Sequence, residues 1–379
     1  KSTLLNELMG EKLAIVPQKA QTTRHRIFGI YNEDDLQIVF SDTPGVLDPK
    51  YELQEKMMDF VKDSLQDADV FLFIVDVTDE SQPSEFLIEK LNKIPVPVLL
   101  LLNKVDKTKV NNQDKDGLKD KDKEKNQRWF DENAIEVKMK SKYTGNDLVG
   151  YQFLSKNTNK WVIVVHGFGE NARHMATYIK NFYDRGYSVF AQDLNAHGKS
   201  SGEYYTMGGF DGKDLKDWVN LISKEYDNPD IVLFGISMGA ATVMNSLDED
   251  LPNNVKAFIE DSGYLSLNEE FSYQLKKLFN LPPILVLPEA SIVAKIKAGY
   301  FLKDVDATKG LENTTLPALI LHGEKDGFVP VSHAEKIYSK INSKKEIYIF
   351  KDAKHVRAER MYKKEYWEYI DKFLEKYFK

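Results

Sequence analysis

Asp230-Ile231-Val232-Leu233-Phe234-Gly235-Ile236-Ser237-Met238-Gly239-Ala240 sets a serine between two glycines at the end of an apolar, β-branched run. Asp230 to Phe234 reads as a buried strand, and Ala240 to Asn245 reads as the start of a helix. A serine on so sharp a strand-to-helix turn has its hydroxyl pushed out where a substrate can reach it. Glycines suit the flanks because a Cβ there would collide with the neighbouring strand and helix.

Further buried strands are expected at Trp161 to Val165, Ser188 to Ala191, Lys256 to Glu260, Ala318 to Leu321 and Glu346 to Phe350, mostly separated by helical patterns. Two alternating stretches, Ile135 to Lys140 and Leu148 to Leu154, precede them across Thr144-Gly145-Asn146. Strands alternating with helices imply an α/β fold with a mostly parallel sheet and helices on both faces. Reactive residues in such a sheet belong at the carboxyl ends of its strands.

If Ser237 is a nucleophile, it needs a base, an acid to orient that base and donors for a developing oxyanion. Downstream lie three histidines, His322, His333 and His355. His322 closes a strand, and His333 falls in a helix opened by Pro330. His355 follows the last strand, where a side chain can reach back over the sheet, so it is the expected base. Asp326, in His322-Gly323-Glu324-Lys325-Asp326, is the expected acid, with Glu324 its competitor. Beside Phe328 and Val329, Asp326 can be held against the imidazole. His166-Gly167-Phe168-Gly169 follows the strand Trp161 to Val165, so the Phe168 and Met238 amides are the expected oxyanion hole, with His166 structural.

These motifs, together with Asp193-Leu194-Asn195-Ala196-His197-Gly198-Lys199-Ser200, resemble the α/β-hydrolase superfamily from about Arg128 to Lys379. The resemblance is to bacterial esterase or lysophospholipase-like and serine-aminopeptidase-like members. It implies a Ser237–Asp326–His355 triad, a small acyl substrate and no metal or organic cofactor. Val356-Arg357-Ala358 departs from the small or acidic residues usual after that histidine. Residues 264–306, rich in Leu, Ile, Val, Phe and Pro, read as a lid insertion, and Leu281 to Pro288 either line an acyl pocket or pack on the core.

The first block carries a different chemistry. A hairpin is expected from Arg26 to Phe40, strands at Val70 to Val77 and Val96 to Leu102, and helices at Ser2 to Met9, Tyr51 to Gln66 and Ser84 to Leu91. Pro95 and Pro97 confine the second strand's ladder to Val98 onward. Asp42-Thr43-Pro44-Gly45 and Asn103-Lys104-Val105-Asp106 each follow a strand, and the chain opens Lys1-Ser2-Thr3. These tetrads, with Lys19-Ala20-Gln21-Thr22-Thr23-Arg24, resemble the G domain of Era GTPases over Lys1 to about Asp106. The resemblance implies GTP and Mg²⁺ as ligands. Lys1 would sit on the β- and γ-phosphates, with Ser2, Thr23 and Asp42 toward Mg²⁺. Gly45 would sense the γ-phosphate, and Asn103, Lys104 and Asp106 would hold guanine.

The glycine-rich half of the P-loop, the end of the G domain and the RNA-binding KH domain have no counterpart here, so no nucleic-acid partner is expected. Opening without Met, the chain reads as a fragment or processed product. The domain plan is therefore an incomplete P-loop GTPase domain at 1–106, a Lys/Asp-rich linker at 107–128 and an α/β-hydrolase domain at 129–379.

A net charge of −7 argues against a binder that relies on bulk positive charge. With no cysteine, a disulfide, thiolate zinc site or cysteine nucleophile is excluded, which suits a cytoplasmic protein. No apolar run is long enough for a membrane span. The leading expectation is a serine hydrolase of esters or related acyl bonds. The alternatives are an Era-like GTP-binding switch and a fusion of two unrelated fragments.

Overall fold

The structure is a computed structural model that describes residues 5–6, 27–33, 36–42, 67–76, 96, 98–103, 122–156, 158–279 and 282–378. The chain divides into two compact units, Lys1–Lys109 with Phe279–Leu281, and Val110–Leu278 with Pro282–Lys379.

In the first unit, β1 (Ile27–Glu33) and β2 (Leu36–Asp42) pair antiparallel, with Glu33 opposite Leu36. β3 (Phe71–Asp76) and β4 (Val98–Asn103) pair in parallel, Asp76 opposite Asn103. β4 begins just past Pro97, because proline has no N–H to give the ladder. Leu5 and Asn6 are helical, and the rest of the three expected helices of this block lies outside the described residues.

The second unit begins inside the stretch read as linker. α1 (Lys123–Asn133) starts within the charged run and buries Asn126 and Phe130, one turn apart on one face. There follow β5 (Ile135–Lys140), β6 (Asp147–Phe153), β7 (Lys160–Val165), α2 (Ala176–Asp184), β8 (Ser188–Asp193) and α3 (Gly209–Glu225). Next come β9 (Asp230–Ile236), α4 (Met238–Ser246), β10 (Val255–Asp261), α5 (Leu267–Phe279) and α6 (Pro283–Ala298). The unit closes with α7 (Thr308–Asn313), β11 (Ala318–Gly323), α8 (Val331–Lys340), β12 (Lys345–Phe350) and α9 (Lys363–Tyr377).

These strands form one eight-stranded sheet in the order β12-β11-β10-β9-β7-β8-β6-β5. β7 to β12 run parallel; at one edge β6 runs antiparallel to β8, and β5 runs antiparallel to β6. Each central strand feeds two cores. Trp161, Ile163 and Val165 of β7 pack on one face with α3 and α4, while Val162 and Val164 pack on the other with α2 and α9. That two-sided burial is why the strands read as continuous apolar runs rather than alternating ones. β7 lies between β8 and β9, so the chain leaves it to one side and returns on the other. Such a switch point opens a crevice at the strands' carboxyl ends.

The lid-like region 264–306 contains α5 and α6. Pro282 and Pro283 open α6, where a missing N–H costs nothing. Its Leu287 packs on the core, whereas Ile284 is 80% exposed.

Trp218 of α3 is fully buried with its ring 4.9 Å from that of Phe190. A Cβ on Gly150 would run into that Phe190 ring, so glycine there lets β6 close over the pair. Trp218→Ala is expected to cost about 3–5 kcal/mol, measured as a lower urea midpoint for the C-terminal unit's transition.

Glu260 on β10 is fully buried, with Oε2 accepting from the Gly263 N–H and Oε1 without a partner. Burial pushes its pKa up to about 8. A carboxyl raised in the folded state adds stability below its unfolded pKa, and that stability fades as pH climbs through the folded value. Stability should therefore fall between about pH 4.5 and about pH 8. Glu260→Gln should flatten that slope, and an unchanged pH profile of thermal unfolding would contradict the assignment.

Candidate functional site

Ser237 sits between β9 and α4 with φ 54° and ψ −119°, a region that residues with a side chain rarely occupy. Its N–H donates to the Asp261 carbonyl at 2.8 Å, which ties the turn to the end of β10. A Cβ on Gly235 would run into the Gly239 carbonyl, and one on Gly239 would run into the carbonyls of Val165 and His166. Both glycines thus allow the close approach of β9, α4 and the β7 loop that the turn needs.

The structure brings Ser237, Asp326 and His355 together. His355 Nε2 lies 2.9 Å from Ser237 Oγ, and Nδ1 lies 2.7 Å from Asp326 Oδ2. The ring is thereby placed to donate from Nδ1 and accept at Nε2. Asp326 Oδ1 accepts from the Phe328 and Val329 amides at 2.8 and 2.9 Å, which orients the carboxylate. Glu324, the competing acid, is exposed and instead accepts from the Asp352 amide. His333 is buried in α8 and accepts from the Leu265 amide, 3.9 Å from Glu270. Burial pushes its pKa down to about 4 and that of Glu270 up to about 7. The Phe328 ring, half exposed, stands 5.0 Å from the His355 ring. Val356, the departure noted after the histidine, takes φ 53°, a conformation unusual for a β-branched residue.

Phe168 follows β7, the strand beside β9, and a Cβ on Gly167 would stand 3.4 Å from that of Ser237. Met238 is the first residue of α4. Among the described residues, neither amide has an acceptor. Helix geometry leaves the Met238 N–H free by construction. His166 is fully buried, donating from Nδ1 to the Gly167 carbonyl and accepting at Nε2 from the Leu194 amide. Burial pushes its pKa down to about 3, so the ring is neutral and acts as a brace. Asp193 knits the neighbouring loop by accepting from the amides of Ala172 and Lys199 and from the Tyr151 hydroxyl.

Two contacts escaped the sequence reading. Asp261, closing β10, accepts from the Tyr366 and Ser262 hydroxyls, and burial pushes its pKa up to about 6. His322 Nε2 lies 3.4 Å from Asp326 Oδ2. The Tyr366 bond has no local signature, because only the fold makes Tyr366 a neighbour of Asp261, whereas His322 and Asp326 lie four residues apart in one motif.

In the first unit, Asp42 closes β2 and is buried, and Asn103 closes β4. Lys1, Ser2, Thr23, Gly45, Lys104 and Asp106 lie outside the described residues.

Residues 156–313 match the family described as serine aminopeptidase, S33, and residues 1–104 match the 50S ribosome-binding GTPase family. The uncharacterized protein YqkD of Bacillus subtilis is 26% identical over 232 residues, 61% of this chain and 76% of that protein. GTPase Era of Alkaliphilus metalliredigens is 46% identical over 108 residues, 28% of this chain. The chain spans only 37% of that GTPase's length. The solved esterase Pf2001 of Pyrococcus furiosus aligns with TM-score 0.53 and 23% identity, covering 65% of this chain and 93% of that one. The α/β hydrolase GrgF from Penicillium aligns with TM-score 0.50 and 16% identity, covering 64% of this chain and 98% of that one. Residues 1–104 are therefore similar to that GTPase family and residues 156–313 to the serine aminopeptidase, S33, family, and the C-terminal unit has an α/β-hydrolase-like fold.

Proposed function

We propose that the C-terminal unit is a serine hydrolase that cleaves carboxylic esters or related acyl bonds. One observation carries this reading, the continuous chain Asp326–His355–Ser237 at 2.7 and 2.9 Å on the carboxyl edge of the sheet. His355 takes the proton from Ser237 as Oγ attacks the acyl carbon. The Phe168 and Met238 amides hold the oxyanion, each such donor being worth about 10²–10³ in rate. The protonated imidazole, steadied by Asp326, gives its proton to the leaving group. Water, activated by the same histidine, then releases the acyl group from Ser237. This scheme uses a small acyl substrate and draws on no metal or organic cofactor. The α5–α6 region serves as a lid whose apolar side chains meet the acyl group. No helix among the described residues is long and apolar enough to cross a membrane, and the cysteine-free composition fits a cytoplasmic place.

Ser237→Ala should abolish labelling by a fluorophosphonate probe, and surviving labelling would rule Ser237 out as nucleophile. Asp326→Asn, which keeps the shape but favours the wrong tautomer, should lower kcat by about 10⁴-fold with little change in KM. A chain-length series of p-nitrophenyl esters beside aminoacyl amides separates esterase, lipase and aminopeptidase use.

A second reading, favoured by the 46% identity to an Era GTPase, is that residues 1–106 bind GTP with Mg²⁺. The expected outcome is saturable binding of a fluorescent GTP analogue that Asp106→Ala removes. No binding at high-micromolar protein would end it.

A further inference from the structure

We propose that His322 is a positioning residue that aims Asp326 at His355; this rests on the serine-hydrolase reading. His322 occupies the fifth position of the six-residue β11 and is fully buried. Its Nε2 stands 2.9 Å from the Val329 carbonyl and 3.4 Å from Asp326 Oδ2, and its Nδ1 is buried with no partner. Burial lowers its pKa, so the ring carries one proton. A carbonyl can only accept, so that proton is on Nε2. The tautomer is therefore set by the fold, and the N–H is directed at two acceptors that both belong to the acid loop.

Two consequences follow for Asp326. Oδ2, the oxygen that faces His355 Nδ1 at 2.7 Å, gains a second N–H nearby. Val329 is held at both ends, its N–H on Asp326 Oδ1 and its carbonyl on His322. The loop that supplies the Oδ1 amides is thus anchored to the sheet through this ring. From the other side, α5 holds the same loop. Gln274 donates to the Phe328 carbonyl at 2.7 Å, and Tyr273 and Lys277 donate to that of Gly327. With Oδ1 fixed by two amides, the carboxylate cannot swing about its Cβ–Cγ bond, and Oδ2 stays on the line to His355. A histidine that merely filled the core would not need to spend a buried, unpartnered Nδ1 to achieve this.

Glutamine and leucine separate the two roles. Glutamine carries an N–H donor the same number of bonds from Cβ as Nε2, whereas leucine fills space without a donor. Each variant is titrated with fluorophosphonate, and kcat is referred to the labelled Ser237 so that partial misfolding does not enter. His322→Leu is expected to lower kcat on a p-nitrophenyl ester by about 10–100-fold, the scale on which an outer partner of a working side chain acts. KM should stay within about 3-fold, and His322→Gln should recover most of the loss. Should His322→Leu yield no folded protein, His322→Asn replaces it, since its shorter amide reaches the Nδ1 position, and the same loss is expected. Leucine (or asparagine) and glutamine variants with the same kcat, in a wild-type chain that is labelled and active, would overturn this proposal alone. A wild-type chain that takes no label overturns the hydrolase reading and this one with it.

Discussion

A strained backbone turn is the constraint on which the site depends. Ser237 holds φ 54° and ψ −119° only because Gly235 and Gly239 let β9, α4 and the loop after β7 come closer than any side chain would allow. The same closeness leaves the Met238 amide at the open end of α4 and brings the Gly167–Phe168 turn against the serine. Strain of this kind costs on the order of 1–3 kcal/mol and persists where surrounding packing over-determines it. Here that packing is the doubly buried sheet, whose central strands have both faces covered.

Around the turn, the protein keeps its buried rings neutral and lets geometry set each proton. His166 is held by one donor and one acceptor, His333 by a backbone amide, and His322 by a carbonyl. Burial lowers the pKa of all three. Below the serine, burial raises both Glu260 and Asp261, and Glu260, pushed up to about 8, is largely neutral at neutral pH, which spares the base of the site one negative charge. Asp326 is treated differently, with two backbone amides and two imidazoles around its oxygens. This well-donated carboxylate is the one that meets His355.

The parallel sheet was legible in the sequence because strands buried on both faces must be apolar throughout, and β7, β9, β10 and β11 all start and end within two residues of their runs. Asp326 and His355 could be singled out because each follows a strand in the required order. What was not legible depended on tertiary contact. α1 begins in a Lys/Asp-rich run whose composition suits a solvated linker, yet Phe130 anchors its end against Tyr151 and Phe153. Packing of that one face outweighs the polar remainder. Tyr366 and Asp261 are 105 positions apart, and no local pattern announces their bond. In the first unit, Asp42 closes β2 and Asn103 closes β4, and the rest of each tetrad lies outside the described residues, where the resemblance to Era GTPases rests on sequence alone.

Ser237 is the proposed nucleophile. Peptide mapping by mass spectrometry after brief exposure to a fluorophosphonate tests it most directly. One modified peptide is expected, with the phosphonyl group on Ser237, and that adduct is lost when His355 is replaced by Ala. An adduct on any other serine, or labelling of Ser237 that is unchanged without His355, would contradict it.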